Sequence, residues 1–419
     1  MPDPSERRAI TLPHAIALYT GAVLGSGVLV LPTIAANAAG PASLVAWLLL
    51  GALSLPLAYM FGALSARYPD AGGIAAFGQR AFGRTAGAIG GWWFLGAVPF
   101  GAPIVALTGA SYLAPLLTLD RASLFLIAGG MLLVVLLVNF LGIRATALVQ
   151  VAAAGTIVAL LLSIGLGGLS LVRASEFAPF LPYGWASIGR AMALIFWSFV
   201  GWEAVSHLAE EFRDPERDVP PSIAASVVAI SSLYLLVSLV TIGTGQYGRE
   251  VEEMIPLSRI LAHILGEWAG GVTGLLAFLI CLGTAKAYVA GASRLAFALA
   301  RDGLFPRTLA RLHPRYLTPW PAFVGLGAGF LAVLAVMYVF QLTIGQVILI
   351  PNASFMATYL LAAAAGVRLL TGAPLQRAAA WIALGSCALI LPFAGWSLLA
   401  TAGISLACVL YLRTSGRHG

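Results

Sequence analysis

The feature that most constrains this chain is a run of about 20 apolar residues, which recurs along the sequence between residues 12 and 413. A helix of that length crosses a hydrocarbon core of about 30 Å. Hydrophobic residues make up 60% of the 419 residues and charged residues only 9%. A soluble protein of this length could not bury so much apolar surface. The sequence therefore predicts an all-α polytopic membrane protein.

The hydropathy pattern predicts twelve spans, which form one membrane domain over residues 1–419. The first and the sixth span are interrupted, at residues 25–27 and 199–202. The predicted spans are residues 12–37, 42–66, 85–115, 122–142, 145–170, 188–210, 221–245, 268–300, 319–341, 345–370, 377–394 and 396–413.

The distribution of basic residues between the loops predicts the orientation. Because successive helices alternate in direction, the loops fall into two sets. One set, together with both termini, carries sixteen basic residues, whereas the other carries Arg121, Arg173, Arg190, Arg249 and Arg259. Basic residues concentrate on the cytoplasmic side, so we expect both termini in the cytoplasm. The net charge of +7 is spread over short loops, and nucleic acid is not expected as a partner.

The interruption in the first span lies in GAVLGSGVLVLP (residues 21–32), at Gly25, Ser26 and Gly27. Small residues four apart also pack helices together in membranes, and Gly21 with Gly25 fits that explanation. A second interruption at Phe199-Val200-Gly201, five helices later, favours two genuine helix breaks. This spacing predicts an inverted repeat of residues 12–170 and 188–370, followed by two further helices at 377–413.

A helix break within hydrocarbon leaves backbone groups unpaired, at a cost of several kcal/mol each. A ligand or cavity water must therefore satisfy them. The half-helix after Gly27 presents its N–H groups and positive end to the break, which suits a carboxylate. The carbonyl groups that end each first half-helix suit an ammonium group. A free α-amino acid carries both.

Three charged side chains lie inside the predicted spans and away from their ends. Glu203 lies in the sixth span, whereas Lys286 and Arg294 lie in the eighth. Lys286 is about 22 Å from the cytoplasmic end of its helix, and Arg294 about 10 Å. Such groups are costly in a membrane, so each requires a partner or water. Cys281, Cys387 and Cys408 fall in apolar segments without metal or disulfide spacing, and we expect neither a cofactor nor a metal.

Several motifs resemble the amino acid–polyamine–organocation superfamily of permeases. They are LGSGVLVLP in span one, RYPDAGGIAAFGQRAFG (67–83), FWSFVGWEAVSHLAEEFRDPERDVP (196–220) and ARDGLFP (300–306). The segment GWWFLGAVPFGAP (91–103) and the spacing from Glu203 to His207 look closest to bacterial exporters of methionine and branched-chain amino acids. The resemblance implies a five-plus-five inverted-repeat (LeuT-like) core with helices 1 and 6 broken, and alternating access to one central site.

The resemblance also implies roles for individual residues. Ser26 and Gly27 would bind the substrate carboxylate, with Gly25 and Gly201 at the breaks. Carbonyl groups of Val23, Trp197 and Val200 would bind the ammonium group, and Trp197 and Tyr288 would close over the substrate. For either aromatic side chain alone, ordinary packing is an equal alternative.

The third span is expected to contribute to side-chain selectivity. Its residues Val98, Pro99, Phe100 and Pro103 carry neither charge nor amide. A charged substrate side chain would have no partner there, so we predict a neutral apolar amino acid.

The coupling mechanism stays open between alternatives. Glu203 and His207 share one helix face and could carry a proton, or Glu203 could form a structural pair with Arg294. Lys286 lies near Thr284, in the region that lines a sodium site in sodium-coupled relatives of this fold. Its ammonium could replace the sodium ion, or backbone carbonyl groups could satisfy it. Lys286 and Tyr288 are about 200° apart around the helix, so both cannot face the substrate.

The sequence thus predicts a secondary transporter that exports or exchanges neutral apolar L-amino acids such as methionine and leucine, linked to protons and independent of sodium. Proton-driven uptake is the alternative within this class. A channel is disfavoured because no predicted span carries a polar stripe that could line a pore. A sensor is disfavoured because no soluble output domain is predicted, and no enzyme is expected. The expected partners are an amino acid, protons, the bilayer of a bacterial inner membrane and, as one option, a second copy of the chain.

Overall fold

The computed structural model describes residues 23–68, 73–142, 147–202, 215–248 and 255–415, and these contain helices and no strand. The helices are α1 (Gly27–Ala39), α2 (Ser43–Arg67), α3 (Ile74–Phe82), α4 (Arg84–Leu117), α5 (Arg121–Phe140), α6 (Ala147–Gly168), α7 (Ala186–Ile195), α8 (Pro215–Gly243), α9 (Pro256–Leu265), α10 (Glu267–Arg301), α11 (Trp320–Val339), α12 (Ile344–Val347), α13 (Leu349–Leu369), α14 (Pro374–Ile390) and α15 (Leu398–Ser415).

Nine segments of the described chain are long and apolar enough to cross a membrane. Two of them, Gly27–Arg67 and Pro374–Thr414, are 41 residues long. Each contains two α-helices joined by a 3-10 turn, at Gly40–Ala42 and Leu391–Ser397. Gly40 and Gly395 take positive φ in these turns, a conformation that glycine adopts without strain. The prediction of a polytopic, all-helical membrane protein is confirmed.

Two short helices occupy connections that the hydropathy pattern left as loops. α3 buries Ile74, Phe77 and Ala81 on one face, and α9 buries Leu257, Ile260 and Leu261. Both are amphipathic, and hydropathy averaged over a long window does not detect such helices. α3 packs against α4, and α9 packs against α10.

The central helices are distinguished from the peripheral ones by burial. In α4, 78% of the most apolar window is buried, against 33% in α5 and 28% in α10. α4 packs against α3, α5, α10 and α13, so it lies at the centre of the bundle. Large apolar side chains on the outer helices remain exposed, as at Leu126, Leu331 and Leu389. Such a surface is suited to lipid.

Both predicted helix interruptions are present. Residues 24–26 are not helical, and α1 begins at Gly27. α7 ends at Ile195 and is followed by a 3-10 turn, Phe196–Phe199. Val200 is extended (φ −83°, ψ 137°), and Gly201 has φ 132°, which disfavours any residue with a side chain. Within the described residues, α1 thus begins at the first predicted break and α7 ends shortly before the second.

Candidate functional site

The two helix breaks lie against each other in the interior of the bundle. A Cβ placed on Gly27 would lie 2.9 Å from Ser198 Oγ and 3.6 Å from Ser198 Cα. Among the described residues, a Cβ on Gly25 would come within 4 Å of Thr284 alone, at 3.6 Å. Neither glycine has the positive φ that Gly201 has. Gly27 is therefore required for the close approach of the two breaks and not for an unusual backbone conformation.

Tyr234, on α8, connects the two breaks through its hydroxyl group. This oxygen lies 3.1 Å from the carbonyl oxygen of Val23 and 3.0 Å from that of Ser198. The side chain is fully buried and packs against Trp47 and Phe199, with ring centroids 5.2 and 5.4 Å away. One hydroxyl proton thus serves two carbonyl groups from broken segments that are distant in the chain.

Two side chains of α13 satisfy backbone groups around the second break. Asn352 Nδ2 donates to the carbonyl oxygens of Ala193 and Leu194, each at 2.8 Å. These carbonyl groups belong to the last turn of α7, which lacks helical donors where the helix stops. On the other side of the break, the Gly201 N–H donates to the Tyr359 hydroxyl oxygen at 3.0 Å. α13 therefore holds both ends of the break.

The start of α1 presents the positive end of a helix to the same region. Ser26 occupies the N-cap position and is buried, but its side chain makes no capping hydrogen bond. The first N–H groups of an α-helix have no acceptor within the helix. They carry a partial positive charge, so the start of α1 is suited to an anionic group.

An aromatic cluster covers the second break. The ring of Trp197 is stacked on that of Tyr288, with centroids 5.5 Å apart and planes inclined by 9°. Phe355, on α13, meets both rings edge-on at 5.7 and 6.2 Å. Trp197 lies directly against Gly101 of α4, where a Cβ would clash with its ring. The cluster provides an apolar, aromatic wall.

The structure brings most of the predicted site residues together. Those at the two breaks are Val23, Gly25, Ser26, Gly27, Trp197, Val200 and Gly201. Tyr288 joins them through its stacking with Trp197, and Thr284 lies 3.6 Å from the position that a Cβ on Gly25 would take. Phe100 is half-buried on α4, next to Gly101. Glu203 and His207 lie outside the described residues.

Lys286 and Arg294 lie on other parts of the α10 surface. Lys286 is half-buried, and its carbonyl oxygen accepts a hydrogen bond from Asn139 Nδ2 of α5 at 3.3 Å. Arg294 is exposed. Between α3 and the end of α10 lies a cavity of about 440 Å³ whose lining includes Arg80 and Arg301. The buried thiols Cys281, Cys387 and Cys408 are free, as expected of core-filling residues.

Sequence reasoning missed five residues of this region: Ser198, Tyr234, Asn352, Phe355 and Tyr359. Four of them carry a polar group in an otherwise apolar span, and an unexplained polar side chain in such a span was the available signal. Their partners are up to 211 residues away along the chain, so the contacts themselves could not be inferred from local pattern.

Comparison with known proteins identifies the family. A family model described as amino acid permease matches residues 10–412, nearly the whole chain. The chain belongs to the amino acid permease family. The predicted membership of the amino acid–polyamine–organocation superfamily is confirmed.

Similar proteins support this assignment, two of them over almost their full length. The uncharacterized amino acid permease YecA of Bacillus subtilis is 40% identical, covering 99% of this chain and 98% of the relative. The L-methionine/branched-chain amino acid exporter YjeH of Escherichia coli is 30% identical over 94% and 93%. The branched-chain amino acid permease BcaP of B. subtilis is 26% identical over 73% and 70%. The protein is therefore a multi-pass membrane transporter, and not an enzyme.

Proposed function

We propose that this permease exports or exchanges neutral apolar L-amino acids, such as methionine and leucine, by alternating access. The observation that carries the proposal is the meeting of the two helix breaks. It places the positive end of α1, several buried carbonyl groups and an aromatic wall around one region. These three features match the carboxylate, the ammonium group and the apolar side chain of one substrate.

The proposed binding mode uses backbone groups for the part common to all amino acids. Ser26 and the N–H groups from Gly27 onward bind the carboxylate. The carbonyl groups of Val23, Trp197 and Val200 bind the ammonium group. The Val23 carbonyl oxygen already accepts from the Tyr234 hydroxyl group at 3.1 Å and from the Gly25 N–H at 2.9 Å, so the ammonium group takes the place of one of these donors when it binds there.

The aromatic wall supports a neutral apolar side chain in the substrate. Trp197, Tyr288 and Phe355 contribute three rings, and Phe100 is expected to extend this surface from α4. A cationic or anionic substrate side chain would lose its hydration there without gaining a charged partner. The names of two relatives, a methionine/branched-chain amino acid exporter and a branched-chain amino acid permease, agree with this substrate class.

The proposed architecture consists of twelve spans in one membrane domain. Residues 12–170 and 188–370 form two inverted five-helix repeats with a LeuT-like core, and residues 377–413 add two helices. Both termini lie on the cytoplasmic side of a bacterial inner membrane, as the arginine distribution favours. Transport is proton-linked and independent of sodium. The paired interruptions, five helices apart, support the repeat.

Counterflow in proteoliposomes tests the function directly. Vesicles loaded with unlabelled leucine or methionine are expected to accumulate the labelled amino acid transiently, because exchange requires only binding and reorientation. Arginine and glutamate serve as cationic and anionic controls, and we expect their exchange to be at least roughly tenfold lower than that of leucine or methionine. Preferred exchange of arginine or glutamate would contradict the proposed selectivity. No exchange of any amino acid would contradict the function.

A further inference from the structure

The hydroxyl group of Ser198 is buried at the meeting point of the two breaks. Ser198 is 1% exposed, and in the described part of the chain its Oγ has no hydrogen-bond partner. A buried hydroxyl group without a partner loses its hydration without compensation. We propose that Ser198 Oγ donates a hydrogen bond to the carboxylate of the bound amino acid. This inference rests on the proposed function and adds a side chain to its binding site.

The position of Ser198 fits this role. Its Oγ would lie 2.9 Å from a Cβ on Gly27, so it lies beside the first turn of α1. In that turn the Leu29 N–H donates to the Ser26 carbonyl oxygen at 3.1 Å, whereas the N–H groups of Gly27 and Val28 precede the first acceptor of the helix. A carboxylate bound to them therefore comes within reach of Ser198 Oγ. Because a carboxylate can accept about four hydrogen bonds, Ser26, Ser198 and backbone N–H groups can bind it together.

The backbone of Ser198 is held independently of its hydroxyl group. Its carbonyl oxygen accepts from Tyr234, and the neighbouring Val200 N–H donates to the Trp197 carbonyl oxygen at 3.1 Å. These bonds fix the turn in which Ser198 lies. Replacing the hydroxyl group by hydrogen leaves both bonds in place, so Ser198→Ala isolates the effect of the hydroxyl group.

The chain contains a matched serine without a helix end beside it. Ser231 Oγ, on α8, is also buried and has no hydrogen-bond partner among the described residues, and it would lie 2.7 Å from a Cβ on Gly51 of α2. Both residues thus place an unsatisfied hydroxyl group against a glycine of a neighbouring helix. Gly51 is in the middle of α2, where the backbone N–H groups are bonded within the helix. Ser231→Ala is therefore the control for a packing role.

The experiment measures binding of L-methionine and of L-methioninamide to the purified full-length protein by calorimetry. The amide keeps the ammonium group and side chain but has no negative charge. We expect Ser198→Ala to weaken methionine binding roughly tenfold or more, because hydrogen bonds to charged groups are the stronger ones. The loss should be smaller for the amide, and Ser231→Ala should change neither affinity by more than about twofold. Ser198→Gly serves as a second variant if Ser198→Ala does not fold.

Each other outcome has a distinct meaning. Unchanged methionine binding by Ser198→Ala, with the wild type binding normally, would overturn the role of Ser198 and leave the proposed function intact. Equal losses for methionine and its amide, or equal losses in the Ser198 and Ser231 variants, would assign the hydroxyl group to packing and also overturn it. Absence of methionine and leucine binding by the wild type would overturn the proposed function, and this inference with it.

Discussion

A single phenol oxygen, that of Tyr234, joins two broken helices whose sequences are far apart. It donates to backbone carbonyl groups that a continuous helix would have satisfied internally. A tyrosine in an apolar span is often a packing residue, and Tyr234 also packs between Trp47 and Phe199. The hydroxyl group and the ring therefore have separate roles, which substitution by phenylalanine separates.

Tyr234→Phe is expected to destabilise the protein by about 1–3 kcal/mol, because two buried carbonyl groups lose their shared donor. Since one of them belongs to Val23, counterflow of leucine should also slow. Tyr112→Phe is the control, because the Tyr112 hydroxyl donates at 2.7 Å to the carbonyl oxygen of Leu29, which lies inside α1. Thermal unfolding and counterflow measure the two effects. Equal slowing of transport by both variants would show that the Tyr234 hydrogen bonds to the two breaks have no specific role in transport.

At the scale of secondary structure, the second break depends on α13. α7 stops at Ile195, and its last carbonyl groups would be unpaired in an apolar interior without Asn352. The residues that follow are Trp197, which stacks on Tyr288, and Ser198, which faces Gly27. The geometry of the candidate site is thus linked to one amide side chain on another helix.

Asn352→Leu keeps the side-chain size and removes both hydrogen bonds. We expect a loss of about 1–3 kcal/mol in the free energy of unfolding, together with weaker leucine binding. Asn139→Leu is the comparison, because Asn139 Nδ2 also contacts two carbonyl oxygens, of Val135 and Lys286, but within continuous helices. Thermal unfolding with and without leucine separates stability from binding. Greater loss of binding in the Asn139 variant would contradict the assignment.

The sequence predicted those elements whose signal is local. Long apolar runs identified the spanning helices, and Gly25–Gly27 and Gly201 marked the breaks before any contact was known. The short helices α3 and α9 were missed because their apolar residues cover only one face. Ser198, Asn352 and Tyr359 were missed for another reason: each acts on a segment distant in sequence, and hydropathy carries no information about such pairs. Residue roles that depend on two segments require the fold.

At the scale of the whole molecule, Lys286 is the residue whose position bears on the coupling of substrate binding to an ion gradient. A charged side chain near the centre of a bilayer raises the free energy of membrane insertion by about 2.5–3.5 kcal/mol, so Lys286 makes insertion of its helix less favourable. It lies within α10, half-buried and on a different flank from Tyr288 and Thr284. This position separates it from the aromatic wall, and a role in coupling would therefore be distinct from a role in substrate binding.

Lys286→Met tests that distinction, because methionine keeps an unbranched side chain and removes the charge. If the Lys286 ammonium takes the place of a coupling ion, the variant should retain counterflow of leucine within about twofold. It should also lose most of the accumulation that a pH gradient drives in the wild type. Sodium gradients should have no effect on either protein. Arg294→Met, which removes an exposed charge from the same helix, should keep pH-driven accumulation. If Lys286→Met accumulates leucine under a pH gradient as the wild type does, the coupling proton passes elsewhere in the molecule and the lysine has a structural role.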